Sequence, residues 1–305
     1  MFSISVFHLI CSIVVWSEDG TNSGVTPALL YSNTRRFRVR FVSESSGWSI
    51  LCNVNNGFFL ISAEVVKIEH PTRGDDTRAW GPPYAIYKDG TKEGPGESAY
   101  YLGVSHAYNS GTVFWLLTPE QVNRNKKSVG LSFAHESGIE ILHKLAKESD
   151  VFVENYIPGS LKKYKMDYES LRAINPRLIY ASVTGYGQTG PYSKRAGYDV
   201  MVEAEMGLMH ITGSRDGPPV KVGVAVTDLT TGLYTSNAIM AALIARGRTG
   251  KGQYIDACLS DCQIATLANL ASSALISGEK DSGRWGTAHR KLKPRRTNSH
   301  LQLLT

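Results

Sequence analysis

The chain has 305 residues, 42% of them hydrophobic and 20% charged, a balance that excludes disordered, collagen-like and disulfide-dense classes. Its net charge of +6 is concentrated at 290–305, where Arg290, Lys291, Lys293, Arg295 and Arg296 face no acidic residue. The remainder is near neutral, so charge gives no argument for a nucleic-acid partner. The cysteines Cys11, Cys52, Cys258 and Cys262 are too few for a disulfide framework. Cys258 and Cys262 lack the further ligands a metal would need, so both read as core thiols and no metal site is expected.

Residues 1–16 are apolar but shorter than a membrane span, and lack the Lys or Arg that opens a signal peptide. They do not resemble an Arg-rich transit peptide, and no membrane partner is expected. Within Glu18–Gly57 only RRFRVRF (Arg35–Phe41) alternates like a strand. The first clear strand is AEVVKIE (Ala63–Glu69), followed by a turn-rich segment to Arg78 and a Gly/Pro/Lys-rich surface loop over Trp80–Gly96. VFWLL (Val113–Leu117) fits no period.

Beyond Asn123 the pattern becomes an alternation of strand and helix. The spacing predicts a helix over Glu136–Glu148, a strand at Val151–Val153, a helix over Leu161–Ile174 ended by Asn175-Pro176, and a strand over Leu178–Val183. An apolar strand-like run, Val222–Val226, then leads into a helix with Leu229, Leu233, Ile239 and Leu243 on its apolar face, ending in RGRTG (Arg246–Gly250). Strand Tyr254–Cys258 and helix Ala265–Ile276 follow. Such alternation predicts an α/β fold, a Rossmann-like parallel sheet with crossover helices.

Asp228 falls where that last strand-like run passes into the helix. It reads either as an N-cap or as a carboxylate held at the mouth of the sheet, where α/β folds collect ligands. GYGQTG (Gly185–Gly190) fits the dinucleotide spacing, but Pro191 follows and no helix begins within it, so it reads as a glycine-rich loop. The basic residues Arg124, Lys126 and Lys127, and Lys162, Lys163 and Lys165, read as solvated faces or phosphate contacts, without the interleaved aromatics of a single-strand nucleic-acid binder.

Several stretches taken in order resemble the family III CoA-transferases. They are AEVVKIE with GDDTRAWGPP (Gly74–Pro83), NRNKKS (Asn123–Ser128), DVFVENYIPGSL (Asp150–Leu161) and INPRLIYASVTGYGQTGP (Ile174–Pro191). RAGYD (Arg195–Asp199), GLMHITG (Gly207–Gly213), Val222–Gln253 and RWGTAH (Arg284–His289) complete the set. The resemblance implies a CoA-transferase moving CoA between short dicarboxylic acids, with Asp228 as nucleophile through an aspartyl mixed anhydride and an aspartyl–CoA thioester. It implies coenzyme A as a substrate rather than a permanent cofactor, with contacts from His70, Arg78, Lys126, Asn155, Tyr156, Lys163 and Arg195. Tyr198 and Asp199 would line the acyl site.

Related racemases carry a histidine base at the Tyr198 position, which tyrosine does not replace at neutral pH. The resemblance further implies an interlocked homodimer and a mitochondrial location, with the cytoplasm as alternative. Against the family pattern, residues 1–62 are unlike the usual opening strand, 103–121 read as an insertion, 63–289 as the large domain and 290–305 as a basic tail. The small domain is expected to be missing, and a catalytically incompetent remnant is the alternative reading.

Overall fold

A computed structural model describes residues 38–42, 63–86, 94, 96–102, 126–278 and 283–288. Cys11, Cys52, His289, the 103–121 segment and the 290–305 tail lie outside the described residues, as do most of residues 1–62. Six strands form one parallel sheet: β1 (Arg38–Val42), β2 (Glu64–Glu69), β5 (Lys126–Gly130), β6 (Val151–Glu154), β7 (Ile179–Thr184) and β8 (Tyr254–Cys258), in the order β5-β2-β1-β6-β7-β8. Here β3 (Tyr84–Ala85) and β4 (Glu97–Ser98) are a separate antiparallel ribbon, so part of the stretch expected to be surface loop is paired. Among the described residues the α-helices are α1 (Ala99–Leu102), α2 (Glu136–Lys147), α3 (Tyr168–Ile174), α4 (Asp199–Glu205), α5 (Leu208–Ile211), α6 (Val226–Thr249) and α7 (Leu259–Ser277).

Every residue of β6 and β7 is buried, as expected for parallel strands covered on both faces. On one face Val151, Val153, Ile179, Ala181 and Val183 pack with Val202 of α4, Ile239 and Ala242 of α6 and Leu259 of α7. On the other, Phe152 and Tyr180 pack with Leu142 and Ala146 of α2, Leu171 of α3 and Met166. β1 lies between β2 and β6, so Arg38–Phe41 of the alternating stretch lie on an interior strand. The winding direction reverses between β1 and β6, and folds of this kind bind ligands beyond the carboxyl ends of the strands at such a point.

Two expected elements differ. The helix expected over Leu161–Ile174 is a short 3-10 turn, Lys162–Tyr164, closed by Lys165 at φ 53, and only then α3. A left-handed residue cannot continue a right-handed helix, and Asp167 starts the next one, its carboxylate accepting the Ser170 hydroxyl at 2.7 Å. The strand-like Val222–Val226 forms no strand; α6 begins at Val226. Its backbone has another partner, since the Val222 N–H donates to Glu203 Oε2 at 3.2 Å.

The buried stripe of α6 coincides with the predicted apolar face only at Ile239, with Leu243 packed beside it. It runs through Thr227, Asp228, Thr231, Thr235, Ile239 and Ala242, while Leu233 is exposed. Thr231 and Thr235 satisfy their hydroxyls on Thr227 and Thr231 carbonyls at 2.7 Å each, which lets small polar residues pack closely without orphaned groups.

Candidate active site

α6 is anchored at its far end. Arg246 is buried, its guanidinium pairing with Asp150 Oδ1 at 2.9 Å and donating to the Asp150 and Arg177 carbonyls. Those residues lead into β6 and β7, so that end sits at the amino edge of the sheet. At about 1.5 Å per residue the helix then carries Asp228 about 27 Å away, against about 20 Å for β7. Asp228 therefore sits at the carboxyl edge of the sheet, in the first turn of α6, 9% exposed.

Ala225, not Asp228, occupies the cap position and gives no side-chain cap. The cap comes from another helix: Asp199 Oδ1 accepts the Asp228 N–H at 2.9 Å, and its carboxylate also takes the Thr227 amide. A carboxylate at the positive end of a helix is favourably placed. Burial raises the Asp199 carboxyl above its ordinary range against these amide bonds, and Glu203, one turn along α4, shares a hydrogen bond with it. Burial raises Glu203 too, and the Asp199 charge adds to this. Tyr198, at the start of α4, is exposed and adjoins this cluster.

The loop before α4 is held by contact between backbones. A Cβ on Gly185 would lie 2.5 Å from the Gly197 Cα, and the reverse is equally close, so GYGQTG crosses directly over RAGYD. Arg195 pairs with Glu205 at 2.6 Å and faces the Tyr186 and Tyr192 rings at 5.1 and 4.9 Å. Hydrogen bonds from Tyr186 and Arg195 hold the Glu205 carboxyl low. GYGQTG opens no helix; the next, α4, begins at Asp199, in agreement with its reading as a loop.

Asn155 and Tyr156 follow β6 at the switch point, and Glu154 Oε2 accepts the Tyr156 N–H at 2.8 Å. Tyr156, Phe133 and Tyr164 form an aromatic strip, with ring centroids 6.2 and 5.5 Å apart, and Lys163 Nζ lies 4.6 Å over the Tyr164 ring. Beyond β2, the His70 Nδ1 is within 3.3 Å of the Thr72 N–H, and Arg78 stacks 3.9 Å over Tyr101 while bonding its hydroxyl. Buried beneath, Lys67 pairs with Glu69 and Asp75. The structure thus gathers His70, Arg78, Asn155, Tyr156, Lys163, Arg195, Tyr198, Asp199 and Asp228 toward one edge. Lys126 is the exception: it opens β5 opposite Val65, at the amino edge, because parallel register puts the start of one strand beside the start of the next.

Sequence reasoning missed Glu154, Glu203 and Glu205. A lone acid inside the apolar VFVE run was the visible signal for Glu154. Among the described residues, Cys258 and Cys262 are buried free thiols, and burial pushes Cys258 up to about 11, far from a reactive thiolate.

The profile of CoA-transferase family III matches residues 61–299, a range that takes in α6 and every loop described above. The chain belongs to CoA-transferase family III. It is 48% identical over 234 residues to human succinyl-CoA:glutarate CoA-transferase, covering 77% of this chain and 47% of that one. It is 45% identical over 234 residues to the succinate–glutarate CoA-transferase of Agrobacterium fabrum, covering 77% and 53%. A crystal structure of a CAIB/BAIF family protein from Brucella suis superposes with a TM-score of 0.70 at 41% identity, over 85% of this chain and 61% of that one. The chain spans about half the length of these curated relatives.

Proposed function

We propose that the chain carries the CoA-binding edge and the nucleophile of a CoA-transferase that moves CoA between short dicarboxylic acids, of the succinyl-CoA to glutarate type. The observation that carries this reading is the setting of Asp228. Its carboxylate stands in the first turn of α6 at the carboxyl edge, with its own amide already held by Asp199. The family membership and the relatives named for glutarate support the substrate class.

In the proposed reaction an Asp228 oxygen attacks the thioester carbonyl of the donor acyl-CoA, the C–S bond breaks, and CoA leaves as thiolate. The thiolate attacks the aspartyl carbonyl of the mixed anhydride, releasing the donor carboxylate and leaving an aspartyl–CoA thioester. The acceptor carboxylate displaces CoA from the aspartyl group, and the thiolate then takes the acceptor acyl group, returning Asp228 as carboxylate. Each step exchanges one acyl bond for another, so the activation of the thioester is kept.

Incubation with succinyl-CoA followed by hydroxylamine tests this. Modification is expected at Asp228 and is expected to disappear in Asp228→Ala. Labelling at another residue, or CoA transfer that survives Asp228→Ala, would overturn the reading.

A further inference from the structure

One face of the sheet carries an unusual polar row near its carboxyl edge. Glu154, Ser182 and Asp256 stand side by side in register on β6, β7 and β8. Ser182 donates to Glu154 Oε1, and Tyr254, two residues before Asp256, donates its hydroxyl to Ser182 Oγ at 3.1 Å. Below the row, Phe152 stacks on Tyr180, Tyr254 stacks on Tyr168, and Tyr180 meets both Tyr168 and Tyr254 at steeper angles. The row also holds two loops. Glu154 Oε2 takes the Tyr156 N–H at 2.8 Å, and Asp256 Oδ2 takes the Gln188 N–H at 2.9 Å.

We propose that Glu154 is a positioning residue: its carboxyl sets the turn that presents Asn155 and Tyr156, and the Ser182–Tyr254 hydroxyl chain fixes that carboxyl relative to the strand holding the GYGQTG loop. A carboxyl that is 4% exposed within an aromatic layer destabilises the fold relative to an apolar residue of similar size. Packing alone therefore gives no reason for it. Both of its oxygens are engaged: one bonds the amide of the turn and the other a hydroxyl chain spanning two more strands, which fixes its rotamer. The ligand expected on this turn is coenzyme A, a point that rests on the function proposed above.

The test compares the wild-type chain with Glu154→Gln and Tyr254→Phe, the second removing only the far hydroxyl of the chain. Amide hydrogen exchange at Tyr156 is expected to rise about tenfold in Glu154→Gln and less in Tyr254→Phe, with amides in the middle of α6 unchanged. Titration with coenzyme A is expected to give a Kd about tenfold weaker in Glu154→Gln. Unchanged exchange at Tyr156 in both variants overturns the proposal, whatever the chain binds. Faster exchange with unaltered coenzyme A affinity overturns the role in presenting the ligand. A wild-type chain that binds no coenzyme A overturns the functional reading instead, and the exchange result still decides whether Glu154 sets the turn.

Discussion

The Asp199 carboxylate accepts the main-chain N–H of Asp228 at 2.9 Å, so one acid caps the helix whose first turn presents the other. The two lie in separate motifs, and the bond fixes the Asp228 backbone at the start of the helix. Asp199→Ala is expected to cost about 1 kcal/mol of stability, as loss of a cap does, and Asp199→Asn, which keeps an acceptor oxygen, about half or less. Urea unfolding of the three proteins checks the order.

The far end of α6 makes a harsher prediction. Arg246 is buried on Asp150 and two carbonyls, and Arg246→Met leaves the Asp150 charge without its partner. The expected cost is about 3–5 kcal/mol, several times that of the cap. A variant unfolding at the wild-type denaturant midpoint would mean that the pair does not anchor the helix.

The Gly185–Gly197 crossing predicts that a single methyl group is felt. Gly197→Ala puts a Cβ 2.5 Å from the Gly185 Cα, which forces the two loops apart and costs about 1–3 kcal/mol. Thermal unfolding measures the loss, and the Arg195–Glu205 pair beside the crossing is expected to loosen with it.

Glu154 predicts the sign of a pH dependence. Burial, with a smaller contribution from Asp256, pushes its carboxyl from 4.5 up to about 7, against hydrogen bonds from Ser182 and Tyr156. Between these values the unfolded chain has lost the proton and the folded chain keeps it, so the slope of unfolding free energy with pH is negative. This group's contribution to stability is present below about pH 4.5, declines as pH rises, and is gone above about pH 7, a span of about 3 kcal/mol. Glu154→Gln is expected to flatten that part of the profile. Denaturation at pH 5.5 and 7.5 checks it, and a wild-type slope equal to the variant's would count against the assignment.

Much of the strand and helix succession was legible because it rests on local pattern. The apolar runs of β6 and β7 need no partner to be recognised as fully buried strands, and the 3.6-residue spacing of Ile139, Leu142 and Leu145 marks α2. Failures came where a single residue's backbone or a remote partner decided. Lys165 in the left-handed region split an expected helix. Val222–Ala225, apolar enough for a strand, found a hydrogen bond to Glu203 instead of a neighbouring strand. The leucine spacing of α6 marked only part of its buried face, Ile239 and Leu243, because its threonines can bond their own carbonyls and pack as small apolar residues do.

The candidate site divides the same way. The parallel α/β class, the helix bearing Asp228, and the loops after β2, β6 and β7 follow from residue order, since periodicity and turn chemistry are local properties of the chain. Which acid caps which helix is not local. Neither is the row of Glu154, Ser182 and Asp256, nor the placement of Lys126 at the opposite edge from the other candidates. Each depends on which strands become neighbours and in what register, which is decided by burying both faces of the sheet at once.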